Sequence, residues 1–488
     1  MNLGLALFGA LVLLVIASRN WRLSVKAALA LVVVEGAIRK WVLPQASDLI
    51  YFLKDIVLLG AYARYFIFEH RSKRSICPPE MKIMLWIAMI IIGLQVFNIR
   101  LASAAVGMFG FKAYLLYVPL CFMLRDVFRS TEELQSFLKW YLLLVLPVGA
   151  LGALQFFSPP DSPINTYVAG EEADIATFGG PDDIVRARIT GTFSYISGYT
   201  AYLTVCQALL FSMLSVKLNK VWMATLMGAA ALLMGNLFMT GSRGPVFSGV
   251  IVFAGFLIFN QLTRSREVRK AITMLLLTGA FCGVASVYWF NDALDAFWQR
   301  VITSDSASER ASSSFVEPLL FLSDPEVLGY GAGATHPGAA GLRARFGLPE
   351  PSVPPPDAEN ETVRVMLELG VFGFLVWYGL KLYLILELWR TRIHTQNPFL
   401  KNLALAAFLT HAILFTGTTV LNHTAHVYFW FMAGFIFLLP HLDSVVAQGP
   451  MENNRYSDGS GGDRLHKPPV AAAPGIIKSV RGQKHSHY

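Results

Sequence analysis

The chain has 488 residues, of which 55% are hydrophobic and 15% are charged. Its formal net charge is +8 and its mean hydropathy is +0.51. A water-soluble globular fold of this length cannot hide so much apolar surface, so that class is excluded. Apolar runs long enough to cross a bilayer recur along almost the whole chain, and in lipid such runs must be helical because every backbone N–H needs an internal partner. The sequence therefore predicts an all-α, polytopic integral membrane protein with about 12–13 transmembrane helices.

The predicted helices fall into three groups separated by two longer loops. Residues 1–157 form the amino-terminal group, with helices at 3–18, 24–39, 49–69, 82–99, 104–124 and 138–157. After a first loop at 158–193, the central group 194–290 has helices at 194–216, 221–239, 245–262 and 271–290. A large loop at 291–361 precedes the carboxy-terminal group 362–441, with helices at 362–387, 402–418 and 425–440. The last segment, 442–488, has the composition of a disordered tail.

Basic residues predict the orientation, because Lys and Arg near helix ends are retained on the cytoplasmic side. Alternate short connections carry mixed Lys and Arg, namely Arg19 and Arg22; Arg71, Lys73 and Arg74; Arg125 and Arg129; Lys217 and Lys220; Arg264, Arg266, Arg269 and Lys270; Arg390, Arg392 and Lys401. These connections are assigned to the cytoplasm. With thirteen helices, the amino terminus and both long loops then face outward, and the tail lies inside.

Several charged residues fall inside the predicted helices, namely Glu35, Lys54, Asp55, Lys112 and Lys381. Intramembrane charges usually face partners and not lipid. Lys54 and Asp55 are adjacent and therefore point about 100° apart, so we expect each to pair with a different helix. Glu35 is a candidate partner for Lys54. Alternatively, these charges mark a proton or ion path.

The basic residues of the outward connections are nearly all arginine, with Lys40 as the exception: Arg39, Arg100, Arg186, Arg188, Arg243, Arg300, Arg310, Arg343 and Arg345. A guanidinium group holds phosphate or carboxylate through two hydrogen bonds and stays charged near a membrane. The bias predicts an anionic substrate at the outer surface. The alternative is that these arginines pair with carboxylates of the same loops, such as Asp182 and Asp183.

Two short patterns strengthen the prediction of an anion site. The stretch from Arg186 to Phe193, with Arg188 inside it, leads into a helix near Ser194, and a helix amino terminus presents free N–H groups that favour a phosphate or pyrophosphate. The stretch Thr240-Gly-Ser-Arg243-Gly-Pro245 predicts a tight outward turn before the next helix. Arg243 could instead be an interfacial anchor whose head reaches water.

The third pattern lies in the large loop and combines an arginine, alternating glycines and a group of acidic residues. Arg310 precedes Gly329-Tyr-Gly331-Ala-Gly333, and Asp357-Ala-Glu359-Asn360-Glu361 comes directly before a helix. The glycines permit close approach of the backbone to a ligand, while Glu359 or Glu361 near a low-dielectric surface could act as a general base. Alternatively, the acidic group only stabilises the start of the following helix.

These motifs, in this order and followed by Glu368-Leu-Gly370-x-x-Gly373, resemble the O-antigen ligase and O-antigen polymerase (Wzy-type) family over roughly residues 185–385. The resemblance implies a glycosyltransferase of the bacterial cytoplasmic (inner) membrane that uses glycans carried on undecaprenyl pyrophosphate. The ligase branch has a histidine before the asparagine where this chain has Glu359, and His336 in the same loop could substitute for it. The resemblance thus favours a polymerase for O-antigen or exopolysaccharide.

The implied reaction is attack of an acceptor hydroxyl on a lipid-linked donor, with undecaprenyl pyrophosphate as the leaving group and no cofactor. Glu359 and Arg310 are the predicted catalytic residues, and the predicted substrate-binding residues are Arg186, Arg188, Arg243, Asn360 and His336. A chain-length regulator and a flippase are expected partners besides membrane lipid, and nucleic-acid binding is not expected because the basic residues form no single patch. A ligase-like transferase, a secondary transporter or flippase of lipid-linked sugars, and an assembly scaffold are the alternatives.

Overall fold

The computed structural model describes residues 3–69, 77–168, 175–179, 185–260, 307–320 and 328–448, together with the single residues 273 and 279. The predicted helix at 271–290 and nearly all of the predicted tail therefore lie outside the described residues. The same holds for Arg300 and for the loop carboxylates Asp182 and Asp183.

The amino-terminal half consists of paired helices. In chain order they are α1 (Leu3–Arg19), α2 (Trp21–Ala37), α3 (Ser47–Tyr51), α4 (Leu53–Tyr62), α5 (Pro79–Val96), α6 (Ala104–Leu115), α7 (Val118–Val127), α8 (Thr131–Leu143) and α9 (Val145–Phe157). Wider π-type turns extend α2 over Ile38–Val42 and α4 over Ala63–Glu69. Helices α6 and α7 together, and α8 and α9 together, cover single predicted spans.

The second half begins with a short antiparallel pair of strands, β1 (Thr177–Gly179) and β2 (Val185–Ala187), in which Phe178 lies opposite Arg186. The following helices are α10 (Ile196–Leu214), α11 (Lys220–Met239), α12 (Arg243–Asn260), α13 (Ala307–Leu320), α14 (Gly338–Phe346), α15 (Glu361–His394), α16 (Pro398–Ile413), α17 (His423–Ala433) and α18 (Phe435–Gln448).

The lengths and composition of these helices confirm an all-α polytopic membrane protein. Within the described residues, 6 helical stretches are long and apolar enough to cross a membrane: Pro79–Val96, Ala104–Val127, Thr131–Phe157, Lys220–Met239, Glu361–His394 and His423–Val446. Shorter apolar helices occur at Leu7–Arg19, Arg243–Phe259 and Pro398–Ile413. Helix α10 occupies the centre of the bundle, because residues 201–213 are all buried, and α11, α12, α16 and α17 pack around it.

The connections that were predicted to share a membrane side meet at the same end of the bundle. At one end, Arg188 Nε donates to Thr240 O at 3.2 Å, and Arg343 donates to Leu101 O at 3.0 Å. At the other end, Lys26 pairs with Glu133 at 2.6 Å. We refer to the end that carries Arg188, Thr240 and Arg343 as the outer end, after the orientation that the basic residues predict.

Two features of the fold differ from the sequence prediction. Helices α13 and α14 lie inside the stretch predicted as the large outer loop, and α8 begins at Thr131, seven residues before the predicted span at 138. The first turns of α8 are polar, with Ser130 accepting a hydrogen bond from Glu133 N at 3.2 Å as the N-cap. A hydropathy window misses such polar turns although they are helical.

The intramembrane charges are paired as expected. Lys54 contacts Glu35 on α2 at 2.7 Å, and Asp55 contacts Lys112 on α6 at 2.7 Å. Adjacent residues of α4 thus reach different helices. Helix α15 bends at Gly370, whose φ of 70° and ψ of −179° are not helical. Across this bend, Lys381 contacts Glu361 at 3.3 Å.

Candidate functional site

Arg188 joins the two arginine motifs at the outer end. Its backbone N–H donates to Ala176 O at 2.9 Å, which continues the hydrogen bonding of the strand pair. Its guanidinium donates to Thr240 O at 3.2 Å and also contacts Ser242 Oγ. The structure therefore brings the end of the first loop against the turn that precedes Arg243.

Lys40 fixes the next part of the same loop. It is 6% exposed, and its Nζ donates to Thr190 Oγ1 at 3.0 Å and to Gly191 O at 2.8 Å. Gln155 Oε1 accepts from the backbone N–H groups of Thr190 and Gly191 at 3.2 and 2.7 Å. A buried amide and a buried ammonium group thus hold the loop backbone in one conformation.

The glycine-rich segment of the large loop docks on the bend in α15. Tyr330 N donates to Leu367 O at 2.7 Å, and Gly331 N donates to Glu368 O at 3.1 Å. Gly329, Gly331 and Gly333 all have positive φ, at 86°, 106° and 83°. Residues with a Cβ rarely adopt this conformation, so the alternating glycines allow the segment to lie along the helix.

Glu368 anchors the end of that segment. Its Oε1 accepts from Thr335 N at 3.0 Å and from Thr335 Oγ1 at 2.8 Å, and its Oε2 accepts from Tyr114 OH at 2.8 Å. Arg364, one turn earlier, donates to Ala358 O at 2.6 Å and to Thr335 O at 2.7 Å. Glu368 thus accepts from the N–H and hydroxyl of Thr335, while Arg364 donates to its carbonyl oxygen. Both contacts hold the large loop against α15.

The docking of this segment leads to a prediction about Gly110 on α6, where a Cβ would overlap the backbone of Ala332 and Gly333. We expect Gly110→Ala to lower the thermal unfolding midpoint and to expose the large loop to protease, since overpacking costs about 1–3 kcal/mol. Gly93→Ala on α5 is the matched control, because a Cβ there meets nothing within 4 Å. Equal midpoints for the two variants would contradict this account of the docking.

Three cations surround the ring of Tyr51. Lys112 Nζ, Lys54 Nζ and the Arg39 guanidinium carbon lie 4.5, 4.9 and 5.1 Å from its ring centroid. We call Glu35, Arg39, Tyr51, Lys54, Asp55 and Lys112 the Tyr51 cluster. The aromatic face attracts cations, so the ring keeps three positive charges in one place.

Two histidines connect the Tyr51 cluster to the large loop. Tyr51 OH lies 2.6 Å from His423 Nδ1, and the rings of His423 and His336 are 5.8 Å apart between centroids. His336 Nδ1 accepts from Gly338 N at 3.0 Å, so in the neutral ring the proton is on Nε2. Burial, with Lys112 and Arg364 nearby, lowers the pKa of His336 to about 4, and the ring is neutral at pH 7.

The other predicted site residues occupy different positions. The Arg186 guanidinium lies over the Phe156 ring at 5.3 Å, Arg243 is the half-buried first residue of α12, and Arg310 lies in α13, where the structure describes only its backbone. Glu359 is exposed, and Asn360 Nδ2 donates to Glu317 Oε2 at 2.8 Å, which ties α13 to the start of α15.

Sequence reasoning did not assign a site role to Tyr51 or His423, and it named Glu361 only as the alternative to Glu359 for the general base. Glu361 is buried and accepts from Val420 N at 2.7 Å and from Thr419 Oγ1 at 2.8 Å. It thereby fixes the turn that leads to His423. The sequence did offer one indication of these residues, namely the intramembrane lysines. Lys112 lies against the ring of Tyr51, and Lys381 contacts Glu361.

Together these contacts form a continuous row of polar residues at the outer end, running from Arg188 through Lys40 and the Tyr51 cluster to His423, His336 and Arg364. We call this row the polar track. A helical bundle with 6 stretches long and apolar enough to cross a membrane among the described residues defines a multi-pass membrane protein, and the polar track gives its outer end a cationic character.

Residues 228–378 match the family model of the O-antigen ligase (Wzy_C). The match covers the turn at Arg243, helix α13, the glycine-rich segment and the bend of α15, and it confirms the family resemblance: this region is an O-antigen ligase/polymerase-type domain. Such a domain indicates a membrane enzyme that acts on lipid-linked polysaccharide. A search of curated proteins finds no match. Arg188, the Tyr51 cluster and His423 lie outside the matched region.

Proposed function

We propose that this protein polymerises lipid-linked oligosaccharide repeats of an O-antigen or exopolysaccharide at the outer face of the bacterial inner membrane. The observation that carries the proposal is the contact of Arg188 with Thr240 and Ser242, which places two arginine motifs together at the outer end. A diphosphate needs several donors and compensating charges at one place, and paired guanidinium groups supply both.

In the proposed reaction, a hydroxyl oxygen of the acceptor sugar attacks the anomeric carbon of the donor glycan. The bond from that carbon to the pyrophosphate oxygen breaks, its electron pair stays on undecaprenyl pyrophosphate, and the hydroxyl proton passes to a base. Arg186, Arg188, Arg243 and Arg310 would stabilise the charge that develops on the leaving group. Glu359 remains the proposed base, with Asn360 beside it.

His336 has a different proposed role, as a hydrogen-bond donor. Because Nδ1 accepts from Gly338 N, the neutral ring offers only Nε2–H to a substrate, and this buried atom has no hydrogen-bond partner within the described residues. A neutral donor of this kind can hold an oxygen of the glycan without adding a charge.

A ligase-like transfer to a different acceptor would use the same arginines, so only the acceptor distinguishes it from polymerisation. A secondary transporter or flippase is the second candidate. The observation in its favour is the pair of buried ion contacts, Glu35–Lys54 and Asp55–Lys112, inside the helix bundle. A chain-length regulator and a flippase are proposed partners of the polymerase.

The deciding experiment uses the full-length protein in lipid nanodiscs with a lipid-linked oligosaccharide as the only sugar substrate. The proposal predicts a ladder of longer glycans and released undecaprenyl pyrophosphate. Glycan transfer only to an added lipid acceptor would identify a ligase. Movement of the intact lipid-linked sugar across proteoliposomes without a new glycosidic bond would identify a transporter.

A further inference from the structure

The Tyr51 cluster contains more positive than negative charge. Arg39, Lys54 and Lys112 face the two carboxylates Glu35 and Asp55, at 3.8, 2.7 and 2.7 Å. In the part of the chain that the structure describes, no other carboxylate lies within ion-pair distance of these three cations. One positive charge is therefore left without a counter-ion in a largely buried setting, which is costly unless an anion joins it.

Lys112 is the cation of this cluster best placed to receive a ligand. Its side chain is 16% exposed, whereas that of Lys54 is 3% exposed. The Lys112 Nζ atom itself is buried and, besides the ion contact with Asp55, has no hydrogen-bond partner among the described residues. Asp55 occupies one side of its ammonium group and also accepts from Tyr117 OH at 2.6 Å. An ammonium group has three N–H donors, so Lys112 can keep Asp55 and bind a second acceptor.

His336 points to the same place from the large loop. Its ring packs edge-on against Phe109 at 4.7 Å, and Phe109 lies 5.7 Å from Lys112 Nζ. The charged groups that face His336 are Lys112 from α6 and Arg364 from α15, both cationic, and its ring neighbour His423 from α17 is close to Lys112 as well. The buried Nε2–H donor, without a hydrogen-bond partner among the described residues, thus lies in a positive environment.

Aromatic rings complete the surroundings of Lys112. Its Nζ lies 4.3 Å from the Phe52 ring centroid and 4.5 Å from that of Tyr51, and Phe52 is 38% exposed. The apolar C–H face of a sugar packs well on an exposed aromatic ring, while a carboxylate pairs with a cation. Phosphate groups are better served by the guanidinium forks around Arg188.

We propose that Lys112 and the Nε2–H of His336, flanked by Phe52 and Phe109, form a subsite for the carboxylate of an acidic sugar in the glycan substrate. This inference rests on the proposed function and specifies its substrate class as glycans that contain a uronic acid or a similarly charged sugar. The ammonium group would neutralise the carboxylate, and His336 would donate to its second oxygen.

The test measures equilibrium binding without turnover, with full-length protein in nanodiscs of neutral lipid. The ligands are a galacturonic acid trisaccharide, the galactose trisaccharide of the same linkage, and inorganic pyrophosphate. We expect the acidic trisaccharide to bind at least about tenfold more tightly than the neutral one, as for a charge-assisted contact. Pyrophosphate should not compete with it. Equal affinities for the two trisaccharides, or competition by pyrophosphate, would overturn the proposal.

Two variants test whether Lys112 and His336 form the subsite. Because removal of Lys112 alone leaves Asp55 unpaired, the variant is Lys112→Gln with Asp55→Asn, and we expect it to lose the preference for the acidic sugar. Lys26→Gln with Glu133→Gln removes an ion pair at the other end of the bundle and is the matched control. His336→Phe, which keeps a ring against Phe109, is a second and independent variant that should also weaken only the acidic ligand.

The two proposals can fail separately. A selective, Lys112-dependent interaction with the acidic trisaccharide supports the subsite even if no polymer forms, and the absence of polymer then counts against the proposed polymerase. Polymerisation of a glycan with unchanged selectivity in both variants would instead overturn the subsite alone. An anionic lipid headgroup is the other candidate occupant of the subsite. Complete loss of acidic-trisaccharide binding in nanodiscs of phosphatidylglycerol would overturn the assignment to a sugar.

Discussion

Replacing Glu361 by alanine is expected to destabilise the protein by about 3–5 kcal/mol, because the change leaves Lys381 as an unpaired charge inside the bundle. Both side chains are almost completely buried, at 0% and 2% exposure. The backbone N–H groups of Val420 and Leu421 would also lose their acceptor. The measurement is the thermal unfolding midpoint of the purified protein in nanodiscs.

The sequence supplies a matched control two residues away. Glu359 has the same side chain but is exposed, so Glu359→Ala should leave the unfolding midpoint unchanged. The double variant Glu361→Gln with Lys381→Met should recover part of the lost stability, since it removes both charges. If Glu361→Ala and Glu359→Ala unfold at the same temperature, the buried ion pair does not hold the turn before His423.

Replacing Arg188 by alanine is expected to reduce the rate of glycan polymerisation by about 10²–10³-fold, as for removal of one donor to a developing negative charge. The effect should fall mainly on the rate at saturating substrate, because the leaving-group charge grows in the transition state. Arg188→Lys should be intermediate, since lysine keeps the charge but lacks the planar fork that reaches Thr240 and Ser242. Initial rates with a lipid-linked oligosaccharide provide the measurement.

Two comparisons separate catalysis from folding at this position. Ser242→Ala removes one contact of the Arg188 guanidinium and should cause a smaller loss of rate in the same direction. Arg345→Ala removes an exposed arginine of the large loop, which pairs with Asp48, and should leave the rate unchanged. Full activity of Arg188→Ala, in protein that unfolds at the normal temperature, would exclude Arg188 from the site.

The site was only partly predictable from local patterns. The arginine motifs, the glycine segment and the charges inside helices are visible in the sequence because each residue type carries its chemistry wherever it lies. The direction of a side chain at the start of α15 is not visible, since Glu359 lies just before the N-cap Asn360 and Glu361 is the first helical residue, and no periodic pattern spans that boundary. Only packing against the turn at 419–421 shows that Glu361 faces inward while Glu359 faces out.

The sequence by itself determined that this chain crosses a membrane many times, because the number and length of its apolar runs leave no soluble alternative. It also predicted which loops share a side, and that Lys54 and Asp55 reach different helices. Only the tertiary structure decided that Tyr51, Lys112, His423 and His336 meet. These residues come from four segments far apart in the chain, and their contacts depend on how whole helices pack, which no local pattern encodes.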